Sequence, residues 1–163
     1  MVKYVKGNLL DSNCDYICHQ VNCQGVMNSG IARQIRDRWP EVYSYYRGRW
    51  LETNKAGMNG GLYTPEIMLG TIDIVELLDN TGRRVINMYS QANYGYDGSR
   101  FTSYDAFAKV LEKIRQSTNY NDTIGFPKNI GCGLGGGNWN AISALIEEIL
   151  GECRDVYIYE LED

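Results

Sequence analysis

The chain has one histidine, three prolines and three phenylalanines in 163 residues. No stretch approaches the roughly 18 uninterrupted apolar residues of a membrane helix, so a membrane-spanning helix is not expected. Residues 1–6, Met-Val-Lys-Tyr-Val-Lys, alternate like a strand and lack the apolar region of a signal peptide, which points to a cytoplasmic protein. Cys14, Cys18, Cys23, Cys132 and Cys153 are odd in number and show no C-x-x-C pair. They read as free thiols in a reducing compartment. Strand alternation sends Cys18 and His19 to opposite faces, which argues against zinc, so neither a metal nor a cofactor is expected. Positive charge is also short: 16 Lys and Arg against 20 Asp and Glu, a net charge of −4. That balance excludes an extended nucleic-acid surface, though a local basic spot could still hold one diphosphate.

What is present fits one globular domain over 1–163. Hydrophobic residues make up 44% and charged residues 22%. These values exclude a disordered or low-complexity chain, and the length suffices for a real core. Two biases stand out. There are 13 tyrosines, and there are 18 glycines, which fall in clusters. Clustered glycine suggests backbone brought close to a ligand.

Periodicity predicts strands at Val2–Lys6, Asp15–Val21, Glu66–Leu69, Thr71–Leu77, Arg84–Ser90, Thr123–Pro127 and Asp155–Glu160. Helices are expected after Ser29, over Pro40–Arg47, over Thr102–Gln116 and after Asn138. Ser29 and Asn138 are the natural caps, Pro40 suits a first helical position, and Thr102 with Asp105 fits a capping box. Glu52–Gly61 reads as a loop. Strands alternating with helices give a three-layer α/β/α sandwich around a mixed, largely parallel sheet. Ligands in such folds sit at the carboxyl ends of strands, where three polar loops can meet.

The strongest local signal is Gly131-Cys132-Gly133-Leu134-Gly135-Gly136-Gly137-Asn138-Trp139, with five glycines in seven positions. Backbone N–H groups there can converge on an anion, helped by the dipole of the following helix. It is neither a Walker A loop nor a good dinucleotide fingerprint. Cys132 lies where a helix N-terminus could lower a thiol pKa, although a small packing residue is the ordinary reading. The second signal is His19 to Ala32, which also places small residues at a helix start. Two such loops suggest a diphosphate gripped from both sides.

These stretches resemble the macrodomain family, which binds ADP-ribose. The resemblance covers nearly the whole chain. It runs through Gly7-Asn8-Leu9-Leu10, His19 to Ala32, Trp39-Pro40-Glu41-Val42-Tyr43, Asn87-Met88-Tyr89-Ser90-Gln91 with Tyr94-Gly95, and Gly131 to Trp139. The details are most similar to the branch of ADP-ribose-1''-phosphate phosphatases and terminal ADP-ribose glycohydrolases. The resemblance implies that Asn8, where the family usually has aspartate, accepts from the adenine amino group, and that Leu9 offers its N–H. It implies that Asn22 contacts the distal ribose, with Gln20 beside it and Tyr89 or Tyr94 packed nearby. Ser29, Gly30, Ile31 and Ala32 would line the diphosphate from one side. The stretch Gly131, Cys132, Gly133, Leu134, Gly135, Gly136, Gly137, Asn138 and Trp139 would line it from the other.

The glycohydrolases resembled here use a lysine and an aspartate. This chain has no lysine between Lys55 and Lys109, and Gly135 stands in place of the aspartate. The remaining acid–base candidates are His19, suited to proton transfer near neutral pH, and Asp97 in a glycine-flanked loop. A satisfied strand histidine and a solvated carboxylate are their ordinary alternatives. The expected function is hydrolysis of an ADP-ribose derivative, a terminal phosphate or a linkage to a macromolecule, by a monomer. The alternative is a module that binds ADP-ribose, free or attached to another molecule, without turning it over.

Overall fold

In the computed structural model, residues 1–55, 65–95 and 97–162 are described. They form one six-stranded sheet with helices on both faces. The strands are β1 Val2–Lys6, β2 Tyr16–Asn22, β3 Ile72–Glu76, β4 Arg84–Gln91, β5 Thr123–Pro127 and β6 Asp155–Glu160. The order is β1-β6-β5-β2-β4-β3, parallel throughout except for β3 against β4. The α-helices among the described residues are α1 Gly30–Arg38, α2 Pro40–Thr53, α3 Tyr104–Ser117 and α4 Trp139–Ile146.

Strand alternation divides the core in two. Tyr16 and Cys18 of β2, Ile86 and Met88 of β4, and Ile124 and Phe126 of β5 face α3 and α4. Ile17 and Val21 of β2, with Val85 and Tyr89 of β4, face α1 and α2. On α3, Ala106, Phe107, Val110, Leu111 and Ile114 are buried, a stripe at helical spacing that covers the first face. Val42 and Tyr46, one turn apart on α2, are buried against the second. Gly125 is required on that side. A Cβ there would lie 2.6 Å from Leu9 Cδ1, because the 3-10 turn Leu9–Asp11 covers β5.

Local expectations failed in three places. Glu66–Leu69 is not a strand: Pro65–Met68 forms a 3-10 turn, closed by the Leu69 N–H on the Glu66 carbonyl and the Thr71 N–H on that of Met68. The helix begun at Pro40 runs on to Thr53: past its expected end at Arg47, Arg49 pairs with Asp73 on β3 and the Trp50 ring packs under the Arg47 guanidinium. Only Asn54 and Lys55 of the expected Glu52–Gly61 loop lie beyond this helix among the described residues; 56–61 fall outside them. Thr102 does not cap α3; Ser103 does, its Oγ accepting from the Ala106 N–H at 3.1 Å. Asn138 caps α4 as expected, with Oδ1 3.2 Å from the Ala141 nitrogen.

Candidate ligand-binding site

The cavity follows from the topology. β2 and β5 are neighbours, but they pair only at Tyr16–Ile124 and Ile17–Gly125. Beyond those pairs the two strands part. The chain leaves β2 toward α1 on one face and leaves β5 toward α4 on the other. That reversal is where open α/β sheets leave a crevice at their carboxyl edge. Here it forms a cavity of about 320 Å³, lined by the end of β2, residues 26–32, Gln91, Tyr94, Gly95 and residues 127–135 except Cys132.

One wall is the β2–α1 loop. A break in register at Val21/Asn22 turns Asn22 out of the strand pattern. Its side chain lines the cavity and also binds its own loop. Asn22 Nδ2 donates to the Val26 carbonyl at 2.9 Å, and Oδ1 accepts from the Gln24 N–H at 2.9 Å. The Tyr46 hydroxyl lies 2.7 Å from Asn22 Oδ1 and accepts from the Val26 N–H at 3.1 Å, so α2 bolts this loop in place. Burial pushes the Tyr46 phenol well above its ordinary pKa, and it stays protonated as a donor. Ser29 stands at the cap of α1, yet its side chain makes no capping hydrogen bond. The uncapped first turn, with Gly30, Ile31 and Ala32, borders the cavity.

The opposite wall is the glycine loop, held from behind by the strap Ser99–Ser103. The Gly135 carbonyl accepts from the N–H groups of Phe101 and Thr102 at 2.7 and 2.9 Å. The Gly131 carbonyl accepts from the Gly137 N–H at 2.8 Å and from Thr102 Oγ1 at 2.7 Å. The Gly133 carbonyl accepts from the Gly136 N–H at 3.0 Å. With carbonyls committed to the loop and strap, no hydrogen bond among the described residues takes the N–H of Gly133, Leu134 or Gly135. The strap also explains the glycines. A Cβ on Gly136 would lie 2.7 Å from the Ser99 carbonyl oxygen, at a φ of +71° that disfavours a side chain in any case.

Between the walls Gln20 forms the floor. Its Nε2 donates to Gln91 Oε1 at 2.7 Å and Thr102 Oγ1 at 2.9 Å, and its Oε1 accepts from Ser90 Oγ at 2.7 Å. Among the described residues, Lys128 is the one lining side chain with a formal charge. Sequence reasoning missed Lys128 and the strap residue Thr102. Neither carries a local signal for these roles, which are set by contacts distant in the chain.

Several expected site residues lie elsewhere. His19 does not line the cavity. It faces α2's side of the sheet and is fully buried, with Nε2 2.5 Å from Asn87 Oδ1 and Nδ1 without a hydrogen-bond partner. Burial drops its pKa from 6.5 to about 4. It thus matches the satisfied-strand alternative on one nitrogen and has no access to a ligand. Tyr89 is also interior, its hydroxyl donating to Asp73 Oδ2 at 2.6 Å and its ring stacked on Tyr46. Tyr94, the other tyrosine considered, does line the cavity. Asp97 is exposed; its Oδ1 accepts from the Ser99 N–H at 2.9 Å, which lowers its pKa. It caps its own turn and does not reach the cavity.

Asn8 and Leu9 stand outside the lining. Asn8 Oδ1 accepts from the Leu10 N–H at 3.0 Å, and Leu9 is core. Cys132, Gly136, Gly137, Asn138 and Trp139 shape the loop from outside the lining. The Cys132 thiol pKa is raised, not lowered, by desolvation. The expected set that does meet at the cavity is Gln20, Asn22, Ser29, Gly30, Ile31, Ala32, Gly131, Gly133, Leu134 and Gly135.

No family model matches the chain. It is 26% identical over 156 residues to a DNA ADP-ribosyl glycohydrolase of Mycobacterium bovis, which covers 96% of this chain and 40% of that protein. The chain therefore spans well under half the length of that curated relative. Over 58 residues it is 38% identical to an ADP-ribose 1''-phosphate phosphatase of Scheffersomyces stipitis, covering 32% of this chain and 34% of that one. Among solved structures, the macrodomain of Thermus aquaticus DarG superposes with a TM-score of 0.70 at 24% identity, covering 98% of each chain. Thermosipho africanus DarTG in complex with ADP-ribose gives 0.75 at 20% identity over 99% of this chain and 41% of that one. The chain has the macrodomain fold.

Proposed function

We propose that this protein binds ADP-ribose and hydrolyses an ADP-ribose derivative, either a terminal phosphate ester or a linkage to a macromolecule. One observation carries the reading. The uncapped start of α1 and the unpartnered N–H groups of Gly133 to Gly135 border the same cavity, where they suit the oxygens of a diphosphate. The names of the two curated relatives agree with it. With the diphosphate between the loops, we assign the distal ribose to the β2–β4 flank, following the role the resemblance implies for Asn22, which lines the cavity there with Gln91 and Tyr94. The nucleoside half lies toward β5 and β6.

No imidazole or carboxylate lines the cavity among the described residues. A lysine–aspartate pair and a His19 base are both without structural support. Hydrolysis of a terminal phosphate ester at this site is then substrate-assisted: a water oxygen attacks phosphorus, the P–O bond to the ribose breaks, and the water's proton passes through a ligand phosphate oxygen to the leaving ribose oxygen. The same observation favours a second reading, a module that binds ADP-ribose without turnover.

The test is calorimetric titration with ADP-ribose, ADP and NAD, followed by incubation with ADP-ribose-1''-phosphate and assay of free phosphate. ADP-ribose binding more tightly than ADP, with phosphate release, supports the hydrolase. Binding without release leaves the reader. Equal affinity for ADP and ADP-ribose refutes the contact to the distal ribose.

A further inference from the structure

The two flanks of the cavity differ in charge. On the β2–β4 flank the lining side chains are neutral: Asn22, Asn28, Gln91 and Tyr94. On the other flank stands Lys128, directly after β5. Its N–H donates to the Tyr159 carbonyl at 2.8 Å, which holds this position against β6. Lys128 Nζ lies 3.0 Å from Glu160 Oε2, and Glu160 Oε1 lies 3.3 Å from Lys6 Nζ. Thus three neighbouring strand ends, β5, β6 and β1, carry two cations and one anion. Lys6, Glu160 and Lys128 are all partly exposed, so the ion pairs can exchange partners.

A diphosphate held by backbone N–H groups does not need Lys128. Its two substituents, however, run to unlike surroundings. We propose that Lys128, with Lys6 behind it, seats a phosphate monoester on the ribose of the nucleoside half. The site would then select ADP-ribose units phosphorylated at that sugar, such as 2'-phospho-ADP-ribose. The inference rests on the functional reading above, which places the reacting ribose on the neutral flank. An incoming phosphate, with about 1.5 to 2 negative charges, takes Lys128 from Glu160, while Lys6 keeps Glu160 paired. Glu160 acts as an internal competitor that a weaker anion does not displace.

The experiment measures affinities of wild type, Lys128→Met and Glu160→Gln for ADP-ribose, 2'-phospho-ADP-ribose and ADP-ribose-1''-phosphate at low and high salt. Circular dichroism confirms that the variants fold. The expected result is a wild-type preference for the 2'-phosphorylated nucleotide of about tenfold at low salt, shrinking at high salt. Lys128→Met removes that preference, and Glu160→Gln strengthens it. Binding of ADP-ribose with no preference for the 2'-phosphate overturns the inference and leaves the functional reading intact. So does a preference that survives in Lys128→Met. A Lys128-dependent gain for the 1''-phosphate instead would reverse the ligand and overturn it as well. If none of the three nucleotides binds, the functional reading fails and takes the inference with it.

Discussion

Replacing Gly135 with alanine separates the role of the strap from that of a flexible surface turn. An added Cβ would lie 2.6 Å from Thr102 Oγ1 and 2.7 Å from the Gly131 carbonyl oxygen. Thr102 is short, β-branched and 2% exposed, and the second contact is backbone, so neither neighbour can yield without moving the loop. Overpacking of this kind costs about 1–3 kcal/mol. The shift also strains the hydrogen bonds from the Phe101 and Thr102 N–H groups to the Gly135 carbonyl, each worth about 1 kcal/mol. The expected loss is about 3 kcal/mol, or near 10 °C in Tm for a chain of this size. Gly133 is the control. Nothing lies within 4 Å of a Cβ there, and its φ is outside the left-handed region. Gly133→Ala should therefore change stability by no more than about 0.5–1 kcal/mol, with an increase if it changes at all. Thermal melts of the two variants beside wild type decide the matter. Equal Tm values for Gly135→Ala and Gly133→Ala would refute the claim that the strap fixes the loop. The same geometry implies that Gly135→Asp cannot install the missing carboxylate without disrupting the site.

Two further outcomes are expected. Tyr46→Phe removes the hydroxyl that joins Asn22 to the Val26 N–H; it should cost about 1–3 kcal/mol in urea unfolding and weaken ADP-ribose binding, and an unchanged affinity would show that the bolt is dispensable. His19 is buried neutral, with its pKa depressed to about 4 from 6.5. Protons therefore bind the unfolded chain first. The stability this group contributes is complete above pH 6.5 and is lost progressively as pH falls toward 4, by about 3 kcal/mol in all. Because it is the sole histidine, its ring signal in proton NMR is unambiguous, and a native titration midpoint near 6.5 would contradict its burial.

Much of this architecture is local in origin and was readable. Alternation in Val2–Lys6 and the short apolar run of Thr123–Pro127 mark strands because one or both faces must be apolar. Asn138 marks the start of α4 because its side chain satisfies a helix N–H within three residues. The glycine clusters announce close backbone contact, since only glycine tolerates both the φ of Gly131 and Gly136 and the contacts around them.

Other features depend on residues far apart in the chain. Thr102 looks like a cap in the sequence, but its hydroxyl reaches Gly131, 29 positions away, and it becomes the strap under the loop. His19 lies one residue from the cavity floor, yet the pleat turns it toward Asn87, 68 positions on. Lys128 is an unremarked loop lysine until β6 brings Glu160 beside it. Sequence by itself determined six of the strands and which loops carry bare backbone, because those properties belong to short stretches. Only the tertiary structure decided which side chains see the cavity, because the parting of β2 from β5 and the packing behind each loop are set by neighbours that the linear order keeps apart.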